Sequence, residues 1–250
     1  MLWSLLTIAI GVYAGLCLVF AIFQRSFIYM PTPAAPGHAK AFALEVPAAT
    51  VRVSSRPHDG PKALLYFGGN AEDVAFTVPE LAALFPDRAI YALHYRGYSG
   101  SSGRPSEAAL RGDARRLFDL VRDRHPDVIL VGRSLGSSLA IQLAAEEPVS
   151  RLVLITPFAS IRAIAQRVAW FLPMGLLLRD PYDSCRYAPE VRCPTLVIAA
   201  SHDEIVPAAD TERLIAAFPP DVATLRIIDG TDHNSVSADA EFPEALVTGR

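Results

Sequence analysis

DVILVGRSLGSSLAIQLAA, residues Asp127 to Ala145, holds two hydrophobic periods joined at one serine. Val128 to Val131 form an unbroken apolar run, the pattern of a parallel strand covered on both faces. Leu135, Leu139 and Leu143 then recur every four residues, which predicts a helix. The period changes at Gly132-Arg133-Ser134-Leu135-Gly136. A residue on such a strand-to-helix elbow adopts a strained backbone. Glycines two before and two after it remove the Cβ atoms that would collide with neighbouring elements. Ser134 is thereby expected to stand out of the turn, hydroxyl first.

Working outward, 250 residues allow one large domain or two small ones, and the reading is one soluble domain plus an anchor. A formal net charge of -3, from 23 basic and 26 acidic residues, leaves no basic stripe for nucleic acid and no acidic tail. Cys17, Cys185 and Cys193 are too few for a disulfide framework, although the last two could pair in an oxidising compartment. No Cys-x-x-Cys or His-Glu-x-x-His spacing occurs, so neither a metal nor any other cofactor is expected.

Leu2 to Phe23 contains no charged residue; as a helix those positions would cover about 33 Å, against about 30 Å for a hydrocarbon core. The segment lacks a basic start and a prompt small-x-small cleavage site, so a retained single-pass membrane helix is expected rather than a signal peptide. Pro31, Pro33, Pro36 and Gly37 read as a short stiff linker. The expected division is an anchor over 1–25, a linker over 26–40 and a catalytic domain over 41–250.

Within that domain, Ala41 to Val46 and Thr50 to Ser55 look like edge strands. Strand and helix patterns then alternate, with strands at Ala63–Phe67, Arg88–Tyr95, Asp127–Val131, Arg151–Ile155, Pro194–Ala200 and Thr224–Ile228. Such alternation predicts an α/β class with a doubly wound, mostly parallel sheet. Ligands in such sheets sit beyond the carboxyl ends of the strands. Four of those ends carry chemistry: Gly68-Gly69-Asn70-Ala71, Ser134, Asp203 within Ser201-His202-Asp203-Glu204, and His233 within Gly230-Thr231-Asp232-His233-Asn234.

Together with Tyr95-Arg96-Gly97-Tyr98-Ser99-Gly100 and Gly103-Arg104-Pro105-Ser106-Glu107, these motifs resemble the α/β-hydrolase superfamily over roughly residues 60 to 235. The resemblance is nearest to membrane-anchored alpha/beta-hydrolase-domain proteins related to protein depalmitoylases. It implies the α/β-hydrolase fold and serine acyl hydrolysis. One departure stands out: the family has His-Gly-Asn-Ala where this chain has Gly68-Gly69-Asn70-Ala71, so the loop loses whatever that His steadied.

A serine needs a base within hydrogen-bond reach, and the base needs a carboxylate on its other nitrogen. Ser134 is the expected nucleophile, His233 the base and Asp203 the acid, in the chain order Ser, Asp, His. Glu204 and Asp232 compete with Asp203, but Asp232 adjoins His233, and neighbouring side chains rarely face each other productively. Of the other histidines, His38, His58 and His125 read as loop or surface residues, His94 closes a strand and His202 sits beside the acid. In the fold implied by the resemblance, the backbone N–H groups of Leu135 and Asn70 receive the oxyanion.

Gly97, Gly100 and Gly103 are spaced unlike a dinucleotide cradle and read as an ordered loop before a helix capped by Ser106. Residues 158–192, carrying Trp170, Phe171, Leu172, Met174 and Leu176 to Leu178, are long for a connection and predict a small helical lid, with core or membrane contact as the other readings. The expected function is a membrane-tethered hydrolase of apolar acyl esters or thioesters, with the bilayer as partner through residues 2–23. An amidase, peptidase or acyltransferase on the same residues, or an anchored non-catalytic interaction module, are the alternatives.

Overall fold

The computed structural model describes residues 2–34 and 40–249. Its sheet has eight strands: β1 Lys40–Val46, β2 Ala49–Arg56, β3 Lys62–Phe67, β4 Ala89–Leu93, β5 Asp127–Arg133, β6 Arg151–Ile155, β7 Thr195–Ala200 and β8 Ala223–Ile228. They lie in the order β1-β2-β4-β3-β5-β6-β7-β8. The β1–β2 and β2–β4 pairs are antiparallel, and every pairing from β4 onward is parallel. This is the mostly parallel α/β-hydrolase arrangement implied by the motifs. One expectation needs correction: β2 is not an edge, because β1 pairs with one side of it and β4 with the other.

The central strands are apolar throughout because both faces are covered. Leu65, Leu130 and Leu154 point into one core, and Leu64, Ile129 and Val153 into the other. Helices α2 (Thr77–Leu84), α3 (Glu107–Arg122), α4 (Leu135–Glu146), α8 (Ala208–Ile215) and α9 (Phe242–Thr248) flank the sheet. The helix after Ser134 forms where its leucine spacing predicts and is enclosed on all sides. Every residue from Leu135 to Ala144 is buried, so Ser137, Ser138 and Gln142 are as enclosed as the leucines.

Residues 158–192 contain three short helices, α5 (Ile161–Val168), α6 (Met174–Leu177) and α7 (Ser184–Tyr187). Their apolar residues divide: Leu172 and Met174 are buried, while Val168, Trp170 and Leu176 are more than three-quarters exposed.

The N-terminal apolar run is one helix, α1, Leu2–Ile28. It continues past Phe23, and its last turns dock on the insertion. Gln24, only 1% exposed, donates from Nε2 to the Leu177 carbonyl (2.9 Å) and accepts from the Arg179 N–H (2.6 Å). Arg25 Nε donates to the Asp180 carboxylate (2.8 Å), and the hydroxyls of Tyr29 and Tyr182 lie 2.8 Å apart. Further along, Thr32 and Ser99 hydroxyls lie 2.8 Å apart. Residues 24–32, which read as the end of an anchor and a linker, are thus packed on the domain. Pro36, Gly37 and His38 lie outside the described residues. The three cysteines are free, with Cys193 buried.

Candidate active site

The elbow is built as its glycines require. Ser134 has φ 47° and ψ -111°, outside the regions comfortable for an L-residue, and its N–H is held by the Ile155 carbonyl of β6 (2.9 Å). A Cβ on Gly132 would lie 2.5 Å from the Gly136 carbonyl oxygen, and one on Gly136 only 2.0 Å from the Phe67 oxygen at the end of β3. Helix α4 can therefore start this close to β5 only with glycine at 132, and this close to β3 only with glycine at 136.

Three side chains separated by up to 99 residues meet there. Ser134 Oγ lies 2.9 Å from His233 Nε2, and His233 Nδ1 lies 2.8 Å from Asp203 Oδ2. His233 and the Asp203 side chain are both nearly buried. The other Asp203 oxygen accepts from the N–H groups of Ile205 (3.0 Å) and Val206 (2.7 Å), which fixes the carboxylate plane. With a carboxylate at Nδ1, the neutral imidazole keeps its proton there and presents a lone pair at Nε2 to the serine hydroxyl.

The competing acids are elsewhere engaged or outside the relay. Asp232 is exposed and accepts from the N–H groups of Asn234 (2.8 Å) and Ser235 (2.9 Å); those bonds, Ser235's first, hold its carboxyl below the usual range. Glu204 is exposed in the turn beside the acid. Among the other histidines, His202 is exposed and meets its neighbour Ser201, and His58 accepts from the Gly60 N–H within its own turn. His125 is not a surface residue: it is buried, with Nδ1 2.7 Å from the Gly60 carbonyl and Nε2 3.2 Å from the Tyr91 hydroxyl. His94 is buried against Ser54, and burial lowers its pKa to about 4 although Asp73 is near.

Hydrogen bonds to Tyr95 and Glu72 hold the Gly68-Gly69-Asn70 loop, where the family histidine is absent. Tyr95 Oη donates to the Gly68 carbonyl (2.7 Å), and the Gly69 N–H donates to Glu72 (2.7 Å). Glu72 also accepts from Tyr66 Oη and Thr77 Oγ1 (2.8 Å each) and faces Arg133 at 3.5 Å. A side chain at position 68 would start 2.5 Å from Val74 Cγ1, so glycine suits this packing. Among the described residues no acceptor is found for the Asn70 N–H, and Leu135, as the first residue of α4, has no intrahelical acceptor for its own.

Sequence reasoning passed over Glu72, Arg133 and Tyr95 as working parts. Arg133, immediately before the serine, also donates to the Asn234 carbonyl (3.3 Å), linking the glycine loop to the His233 loop. The only available signal was Glu72 standing three residues after Gly69, as in a turn closed by its own carboxylate. The Gly97–Gly103 loop is ordered as expected: its three glycines have φ between 79° and 91°, and Ser106 Oγ accepts from the Ala109 N–H to cap α3. No cluster of metal-ligating side chains occurs among the described residues.

The family model for the alpha/beta hydrolase family matches residues 67–188, which contain the glycine loop, the elbow and most of the insertion. An uncharacterized protein of Mycobacterium tuberculosis strain H37Rv is 37% identical over 180 residues, covering 70% of this chain and 63% of that protein. The alpha/beta hydrolase domain-containing protein aho-3 of Caenorhabditis elegans is 31% identical over 189 residues, 73% of this chain and 55% of that one. The chain thus spans less than two thirds of the length of these relatives. Among solved structures, an esterase of Pyrococcus furiosus superposes with TM-score 0.68 at 14% identity, covering 88% of this chain and 95% of that one. A thioesterase domain from the curacin biosynthetic pathway gives 0.65 at 15% identity, covering 84% and 99%. At such identities the likeness is one of fold.

Proposed function

This chain belongs to the α/β-hydrolase superfamily, and from that premise we propose that it is a membrane-tethered serine hydrolase of carboxylic esters or thioesters, with Ser134 as nucleophile. The observation that carries the reading is the relay Ser134–His233–Asp203, with contacts of 2.9 and 2.8 Å, at a serine held on a positive-φ elbow.

In this reading His233 Nε2 takes the hydroxyl proton as Ser134 Oγ bonds to the acyl carbon, and Asp203 stabilises the resulting imidazolium. The carbonyl electron pair moves onto oxygen, where the N–H groups of Asn70 and Leu135 receive it. Collapse expels the alcohol or thiol, which leaves with the proton from His233. Water then attacks the acyl-serine by the same route in reverse, releasing the acid and restoring the hydroxyl.

The tether is α1. It has 27 residues, none of them charged before Arg25, and its first fifteen described residues are all exposed. A helix of that length covers about 40 Å, enough to cross a hydrocarbon core of about 30 Å. The Tyr13 hydroxyl donates to the Phe171 carbonyl (2.8 Å), so the exposed tip with Trp170 and Leu176 runs alongside this helix and extends the apolar surface. An apolar acyl chain delivered from a bilayer suits that surface.

Fluorophosphonate labelling of the detergent-solubilised chain tests the reading, with the adduct located by mass spectrometry. Stoichiometric modification of Ser134, lost in Ser134→Ala, is the expected result. A wild-type chain that neither labels nor turns over acyl esters would sink it and favour an interaction module.

A further inference from the structure

The Asn70 side chain faces the membrane helix. Its Nδ2 donates to the carbonyl of Ile28, the last residue of α1 (2.6 Å). Its Oδ1 accepts from the Met30 N–H (3.1 Å) and from Tyr98 Oη (2.7 Å). The Met30 N–H is shared with Tyr98 Oη at 2.8 Å, which closes a small ring of amide, hydroxyl and backbone. Tyr98 is buried and its hydroxyl is pushed up to about 12, chiefly by burial, so it remains a neutral donor. All three groups that hold this amide lie outside the Gly68–Ala71 loop, and two of them belong to the chain leaving α1.

The same chain is immobilised on both sides of the contact. Upstream, Gln24, Arg25 and Tyr29 are hydrogen-bonded to residues 177–182 of the insertion. Downstream, the Ser99 N–H donates to the Thr32 carbonyl (2.8 Å). Residues 28–30 therefore have little freedom to follow Asn70; the loop must follow them.

We propose that the end of the membrane helix, Ile28 to Met30, is a positioning element for catalysis: it holds the Asn70 side chain and through it sets where the Asn70 N–H stands to receive the oxyanion. The inference rests on the serine-hydrolase reading and goes beyond it, because it makes the helix a working part of the site as well as a tether. Removing residues 24–32 together with the helix should then lower turnover even where the domain stays folded. A one-ångström misplacement of a transition-state donor costs on the order of 100-fold in rate, and donors that act only on the oxyanion change kcat rather than KM.

The test uses the full chain in detergent and a monomeric p-nitrophenyl ester. Met30→Pro removes the N–H that Asn70 and Tyr98 share, and Asn70→Ala removes the side chain while keeping its backbone N–H. Each should cut kcat by about 10- to 100-fold with KM within about threefold, and weaken a trifluoromethyl-ketone analogue in parallel. Combined, they should cost no more than about threefold beyond the worse single variant, because both break one ring. Gly112→Ala, exposed in α3 and away from the ring, should stay within about twofold of wild type. Should Met30→Pro not fold, Tyr98→Phe paired with Asn70→Ala gives the same comparison. Single-variant losses that multiply, an effect on KM alone, or a kcat within about twofold of wild type would overturn the proposal while Ser134 still labels stoichiometrically. A wild-type chain that never labels instead removes the catalytic reading on which it rests.

Discussion

Replacing Asp203 by Asn tests the relay at one atom. Asp203 Oδ1 accepts from the Ile205 and Val206 N–H groups at 3.0 and 2.7 Å, while Oδ2 faces His233. An asparagine here must place its single oxygen where those two donors point, so its NH2 group faces His233 Nδ1. The imidazole then accepts at Nδ1 and carries its proton on Nε2, aimed at Ser134, where it cannot act as a base. Turning the amide over restores the tautomer but sets an NH2 group against both backbone donors. Val206 is buried, so leaving its N–H unpaired costs about 1–3 kcal/mol, and the exposed Ile205 adds about 1. The productive flip is thus disfavoured by about 2–4 kcal/mol, or roughly 30- to 1,000-fold. Loss of the negative charge that stabilises the imidazolium takes the expected fall in kcat to three or four orders of magnitude, on the order seen for such replacements in serine proteases. The assay is steady-state hydrolysis of a soluble acyl ester, with thermal unfolding to show that the fold survives. Asp232→Asn, which touches only the Asn234 and Ser235 turn, should cost less than about tenfold. A fall smaller than tenfold for Asp203→Asn, or the reverse ranking of the two variants, refutes the reasoning.

Gly136→Ala should be damaging, because its Cβ would stand 2.0 Å from the Phe67 oxygen, whereas Gly112→Ala, exposed in α3 with nothing within 4 Å, should stabilise by about 0.5–1 kcal/mol; denaturant unfolding of both variants checks the opposite signs. His94 takes up a proton less readily folded than unfolded, its pKa falling from 6.5 to about 4, so the unfolded chain binds the extra proton between those values and stability should fall as pH drops from about 6.5 to 4. The full effect is about 3 kcal/mol, and His94→Gln should flatten that part of a stability profile measured by urea titration; an unchanged slope counts against it. Esters of medium to long acyl chains should exceed acetyl esters in kcat/KM, by up to about 0.8 kcal/mol per enclosed methylene, and a maximum at two carbons in a p-nitrophenyl series counts against an apolar acyl site.

How much was legible in the sequence depended on whether a feature has a local cause. The elbow does: Gly132 and Gly136 are needed by contacts within ten residues and with the adjoining strand, and the change of period at Ser134 announces strand and helix together. Chain order then singled out the acid and base, because each follows a strand and a parallel sheet carries those ends to one edge. His125 looked polar and exposed since nothing in its own neighbourhood encodes the Gly60 carbonyl and Tyr91 hydroxyl that bury it, 65 and 34 residues away. The leucine spacing predicted the helix α4, while its burial on every side comes from the sheet beneath it and the helices α3 and α7 around it. Likewise Pro31 and Pro33 argued locally for a spacer, and local stiffness is silent on what a stiff segment leans against. Only the tertiary structure brings Gln24 to Leu177, Arg25 to Asp180 and Asn70 to Ile28, over separations of 153, 155 and 42 residues. Those contacts are hydrogen bonds between polar groups of unlike elements, which leave no period in the sequence, while strand, helix and elbow are written in the spacing of their own apolar residues and glycines.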